Sequence, residues 1–308
     1  MALHQASGRW KLGLALAVAT ALFWATLPVA LKVSLERVDA YTLTWFRFVF
    51  AALALGAFLA WRGQFQQFRG LPVRARWLLV IAALGLIGNY LGYLLGLKYT
   101  TPANAQLLIQ MAPLLMAAGG VVVFKERLNA AQYGGYVAVA VGLLLFFVEQ
   151  HGRALQPSTY AFGGWLIVGA SATWAAYALA QKQLLQRLPS QAILWVIYVA
   201  AALLLLPLAD PARLLALDGA HWLAVLYCAV NTIGAYGAFA EALAHWEASR
   251  VSAILALTPL LTVATVSLFA AFVPGLVAPE RIGLLGWLGA LAVVAGSAAV
   301  SLLGTRRG

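Results

Sequence analysis

Phe23–Lys32 reads FWATLPVALK, and Thr173–Lys182 reads TWAAYALAQK. Trp24, Ala25, Ala30 and Lys32 recur as Trp174, Ala175, Ala180 and Lys182. Two further matches follow in the same order: Pro113-Leu114-Leu115 returns as Pro259-Leu260-Leu261, and Glu126-Arg127-Leu128 as Glu280-Arg281-Ile282. The second half is lengthened by roughly eight residues before Glu280, as the spacings require of a repeat of this period. The chain therefore reads as one unit used twice, residues 1–150 and 151–308. If each unit holds five membrane spans, an odd number, the second enters the bilayer from the opposite side. Inverted repeats of this kind are how alternating-access carriers build a site at the bilayer midplane.

Composition supports the membrane assignment. The 308 residues are 64% hydrophobic and 9% charged, with mean hydropathy +0.89, whereas a soluble domain carries about 25% charged residues. Apolar runs near 11–33, 39–61, 77–97, 102–123, 130–148, 161–184, 190–208, 219–242, 250–272 and 283–303 are each close to the ~20 residues that cross the hydrocarbon. The expected fold is an all-α polytopic membrane protein, ten transmembrane helices arranged as two inverted five-helix repeats. They leave no room for a soluble catalytic domain. The net charge of +11 is topological rather than a nucleic-acid signal, since the Lys and Arg lie mostly in short loops. With a cytoplasmic amino terminus, thirteen basic residues fall inside and six outside. Both termini are then cytoplasmic by the positive-inside rule. The first apolar stretch, Leu12 to Leu31, is too long for a signal-peptide core, and the Arg-rich segment Arg62–Arg76 follows it as a retention signal. That segment reads either as lying along the inner headgroups or as a plain polar loop. Cys228 stands alone, so there is no internal disulfide.

Polar groups within a span need a partner or a wet cavity, and those of this chain fall on helical stripes. Trp24, Pro28 and Lys32 follow one another at four-residue spacing. Asn89 and Tyr93 share a face, as do Gln106, Gln110 and Pro113, and Trp174, Tyr177 and Gln181. With Pro259 they form a candidate substrate cavity lined by spans one, three, four, six, eight and nine, leaving five and ten outside. For each the alternative is structural: aromatic packing, amide hydrogen bonds between helices, proline bends, or snorkelling of Lys32 and Lys182 at helix ends. Glu241 is the one carboxylate placed clearly within a span, one turn before His245, and is the candidate for proton coupling. Gly88, Gly92 and Gly96 form a small-residue stripe suited to close helix packing and to sliding of one repeat on the other.

These residues resemble the drug/metabolite transporter superfamily, in its EamA-type branch of ten-helix, two-repeat carriers. The resemblance rests on Trp24, Pro28 and Lys32, on Arg47 early in span two, on the lead Thr101-Pro102-Ala103, on Pro113, and on Glu126-Arg127. It implies cytoplasmic termini, an inner-membrane location, a cavity shared by both repeats, and export of small metabolites, often amino acids. It also bears on Arg47, which reads either as a substrate-carboxylate site or as a structural clamp on the loop carbonyls between spans one and two. The clamp is favoured, because the resemblance implies an Arg here across differing substrates. Two departures are Ile197 at the position matching Arg47 in the second half, and the longer stretch Phe272–Pro279.

The implied partners are a small-molecule substrate and the lipid bilayer, without nucleic acid, cofactor, metal or catalytic residues; monomer and dimer are both open. One alternative is a sugar-phosphate or nucleotide-sugar exchanger, which should cluster several cations on the phosphate. A remote one is an intramembrane serine protease. Gly169-Ala170-Ser171-Ala172 fits its short GxSx pattern, but His4, His151, His221 and His245 all lie at span ends or in loops, away from Ser171.

Overall fold

The structure, a computed structural model, describes residues 9–65, 70–124, 129–154, 156–246, 251, 254–273 and 281–303. The matches at Glu126-Arg127 and Glu280, the long stretch after Phe272, and several of the topological Lys and Arg lie outside the described residues.

The helices follow the apolar runs closely. Span one is Trp10–Ser34, span two Ala40–Trp61, span three Val73–Tyr99, span five Ala130–Arg153, span six Pro157–Leu184, span seven Ser190–Leu205, span eight Gly219–His245 and span ten Leu284–Leu302. Spans four and nine are each broken. Span four runs as Pro102–Leu108, then a turn at Ile109 and Gln110, then Met111–Phe124; span nine turns at Ala256 and Leu257 before Thr258–Phe272. Pro113 and Pro259 stand in the first turn of the second piece in each case. A proline has no N–H to carry the preceding helix onward, yet is well tolerated where a helix begins. The repeat thus places the same interruption in both halves. Seven helices are by themselves long and apolar enough to span a membrane; the two broken spans and the shorter span ten complete the ten.

Local chemistry fixes the starts. Asp39 caps span two, its carboxylate accepting from the N–H of Tyr41 and of Thr42 and from the Thr42 hydroxyl. Thr101 caps span four with Pro102 at its first position, and Asn129 and Gln132 form a reciprocal capping box on span five. Between spans two and three the chain turns at Gly63 and Gly70, both at positive φ. There Phe65 meets Trp195 of span seven edge-on at 5.0 Å.

Burial alone would raise the pKa of Asp39, but hydrogen bonds from the Thr42 hydroxyl and N–H, the Tyr41 N–H, and the Arg213 charge together lower it below the ordinary 3.8. A depressed carboxylate contributes stability above its unfolded pKa and loses it as pH falls through the folded value. Asp39→Ala should therefore lower stability by about 1 kcal/mol at neutral pH. Thermal unfolding in detergent should show the gap from wild type close once the medium is more acidic than Asp39's folded pKa; a gap that persists there would contradict the assignment.

Packing respects the exchange of one repeat for the other. Span three packs extensively on span six and, correspondingly, span eight on span one; two pairs with seven, five with ten, and four with nine. The tightest pairs cross from one repeat to the other. The glycine stripe of span three, joined by Gly85, lies against span six. A Cβ at Gly85 would be 2.8 Å from the Thr173 carbonyl oxygen, and one at Gly96 2.8 Å from that of Gly163. This is backbone-to-backbone contact, so the stripe is an interlocked seam rather than a smooth face for sliding. Spans five and ten stand at the periphery, joined through Gly135, Gly142, Gly289 and Gly296 and resting on spans four and nine.

Candidate functional site

Arg47 lies deep in the bundle, 3% exposed. Its Nε–H donates to the Cys228 carbonyl oxygen at 3.2 Å and to Thr232 Oγ1 at 3.1 Å. The guanidinium lies 4.7 Å over the ring of Tyr90, which neighbours Phe48, itself stacked on Tyr198. The carbonyl it holds belongs to span eight, not to the loop between spans one and two, so the expected loop clamp becomes a tie between the repeats. No carboxylate among the described residues pairs with it.

Two asparagines make equivalent ties. Asn89 of span three donates to the Ala170 carbonyl oxygen of span six at 3.0 Å, and Asn231 of span eight donates to the Phe23 carbonyl oxygen of span one at 2.7 Å. Thr26, Tyr227 and Asn231 form a polar knot nearly two turns before Lys32 and beside Pro28. Pro28, which is buried, frees a carbonyl in this same stretch of span one. Asn89 was expected to look into a cavity with Tyr93; its amide instead bonds the neighbouring helix. Asn231, Thr232 and Tyr227 were missed by sequence reading, although Asn231-Thr232 is a visible polar pair inside an apolar span.

The other predicted residues separate into groups. Tyr93 and Gln106 do meet, the phenol donating to Gln106 Oε1 at 3.1 Å. Gln110 occupies the break in span four, half-buried. Trp24 packs against Tyr236 and Phe239 of span eight, at 5.9 and 5.8 Å between ring centres. Trp174 and Tyr177 are ring neighbours, while Gln181 reaches Ser190 at the start of span seven. Lys32 is not at an open mouth. Its Nζ donates to the carbonyl oxygens of Leu97 and Thr100, both at 2.8 Å, and of Lys98 at 3.3 Å, closing the end of span three. The side chains of Lys182 and Pro113 lie outside the described residues; Pro259 is buried at the restart of span nine.

Glu241, the candidate for proton coupling, lies near the end of span eight. Its side chain is 61% exposed and pairs with His245 at 3.0 Å. The least exposed carboxylate among the described ion pairs is Glu149, its side chain 9% exposed, which the sequence boundary at residue 148 left just outside span five. The helix runs on to Arg153, and Glu149 accepts from the N–H of Gly283 and Gly286 at 2.6 and 2.7 Å. It thereby supplies the N-terminal acceptors that span ten lacks. Its spacing to Arg153, one helical turn on, was the signal available. Ser171 donates to the Ile167 carbonyl oxygen at 3.0 Å, with no imidazole beside it among the described residues.

Comparison with known proteins agrees with this architecture. The EamA-like transporter family matches residues 11–148 and 161–302. The inner membrane transporter YhbE of Escherichia coli (strain K12) is 37% identical, covering 93% of this chain and 90% of that protein. A transporter of Haemophilus influenzae is 35% identical, covering 93% of each. A protein of Salmonella typhimurium named a probable amino-acid metabolite efflux pump is 26% identical over 81% of this chain and 84% of its own length. A crystal structure 22% identical in sequence, covering 97% of this chain and 98% of that one, superposes with a TM-score of 0.63 and shows the same fold. With the repeat, the paired breaks and these relatives together, the chain belongs to the EamA-like transporter family, as a ten-span membrane protein of two inverted repeats.

Proposed function

We propose that this transporter exports amino acids or similarly small zwitterionic metabolites across the inner membrane by alternating access, with both termini cytoplasmic. The observation that carries the reading is the pairing of the two broken spans, four with nine, beside the Tyr93–Gln106 amide contact and the aromatic side chains of spans one, three and eight. Interrupted helices at matching positions of inverted repeats expose unsatisfied backbone groups where substrates bind. Amide and aromatic groups suit a small solute with an apolar side chain. The relative named an amino-acid metabolite efflux pump supports the same class. A phosphorylated sugar fits less well, because Lys32 is engaged at the end of span three and Lys98 is exposed near Tyr99. The repeats are taken as residues 1–150 and 151–308. Because the tightest seams join span three to six and eight to one, rocking moves these cross-repeat pairs as bodies, rather than one repeat against the other.

Counterflow in proteoliposomes loaded with mixed amino acids tests this. Specific exchange of labelled amino acid is expected; none from well-folded protein would overturn the substrate class. The double substitution Gln106→Leu with Gln110→Leu should preserve folded yield and lower exchange about tenfold, the scale of one or two lost hydrogen bonds. Undiminished exchange would remove span four from the site.

A further inference from the structure

We infer that Arg47 is the anchor for the carboxylate of the transported solute, a deepening of the amino-acid reading above. A guanidinium has five N–H donors in a planar fork. Only Nε–H is committed, to Cys228 and Thr232; among the described residues the Nη groups meet neither a hydrogen-bond acceptor nor an anion. The cation is nonetheless almost wholly buried. A buried charge without a counter-ion is unfavourable, and the face of Tyr90 offsets only part of that. A carboxylate accepts two parallel bonds from such a fork.

The surroundings define the rest of the solute. Arg47 lies at the meeting of spans two, three and eight, against Tyr90, Cys228 and Thr232, with Tyr93 and Tyr236 one turn further along spans three and eight. Tyr93 continues to Gln106, and Tyr236 to Trp24. One fixed cation over a phenol ring, with further aromatic side chains along the same helices, matches a single carboxylate attached to a small apolar body. A phosphate ester would call for further cations, and among the described residues no second cation meets these groups. Ile197 at the matching position of span seven means that the second repeat provides no equivalent fork. The pseudo-symmetric site is therefore chemically one-sided.

The test compares each exchanged amino acid with its carboxamide, its decarboxylated amine and a phosphate monoester as competitors of counterflow. In the wild type the acid should compete at least about tenfold better than the amide or amine, the scale of a charge-assisted bidentate pair. Equal competition by amide and acid overturns the assignment without reference to any variant, and so does stronger competition by the phosphate ester. Arg47→Gln should abolish the acid-over-amide preference, and Arg47→Lys should restore part of it. A folded Arg47→Gln protein that keeps the full preference also overturns it. If no amino acid exchanges at all, the substrate reading fails separately. Upward thermal shifts by simple carboxylates in wild type but not in Arg47→Gln would then sustain the anchor, and their absence would sink it.

Discussion

Replacing Gly142 by Leu should separate spans five and ten and strongly reduce the folded protein recovered in detergent. A Cβ at Gly142 would lie 2.5 Å from the Gly289 carbonyl oxygen and 2.8 Å from the Val293 nitrogen. From the other side, one at Gly289 would lie 2.6 Å from the Gly142 carbonyl oxygen. All three neighbours are backbone atoms of a helix, so no rotamer change relieves the overlap. Overpacking of this kind costs about 1–3 kcal/mol, and the branched Leu side chain belongs at the upper end. The control is Gly134→Ala on the same helix, where an added Cβ meets nothing within 4 Å. That change should be neutral or slightly stabilising, since Ala is favoured over Gly in a helix by about 1 kcal/mol. Size-exclusion profiles and thermal unfolding of the two proteins decide the matter. A Gly142→Leu protein as monodisperse and heat-resistant as Gly134→Ala would mean that spans five and ten do not pack through these glycines.

Removing the Glu149 carboxylate should have a comparable effect by a different route. Glu149→Ala strips the acceptor from the N–H groups of Gly283 and Gly286 and leaves Arg153 without its ion pair. Buried donors left unsatisfied, with a charged partner lost, cost about 2–3 kcal/mol. Gln150 and Arg153 still hold the Arg281 carbonyl oxygen, so span ten should fray from its first turn rather than detach. Amide hydrogen exchange should accelerate first around residues 283–287, together with a lower unfolding temperature. Glu149→Gln keeps one acceptor oxygen and should fall between the two. Unchanged exchange at the start of span ten in Glu149→Ala would show that its donors have another acceptor.

The candidate site was legible only in part. Arg47, Gln106, Tyr93 and Trp24 were identifiable because a polar or amphipathic residue in a long apolar run stands out without any knowledge of its neighbours. Their partners were not identifiable. Arg47 reaches Cys228 across 181 positions of chain, and Asn231 reaches Phe23 across 208. Lys32 shows the same limit, since its place in span one did not disclose that it would close the end of span three. Glu149 fell outside the expected span because hydropathy locates where apolar residues stop, whereas a helix carried by its own hydrogen bonds continues past that point.

The sequence by itself determined the ten apolar segments, their order, the repeat, the capped starts and, through Pro113 and Pro259, the two positions where a span is interrupted. Each of these is a property of a short stretch: transfer of about twenty residues into hydrocarbon, one side chain accepting from its own helix, one missing N–H. Only the tertiary structure decided which helices pair, that the tightest seams join opposite repeats, and which polar groups meet across them. Within lipid there is no hydrophobic force to select one apolar face over another. Selection falls to the fit of glycine seams such as Gly85 and Gly96 on span six and to single hydrogen bonds such as Asn89 to Ala170. Fit of that kind exists only between surfaces, and a sequence lists one surface at a time.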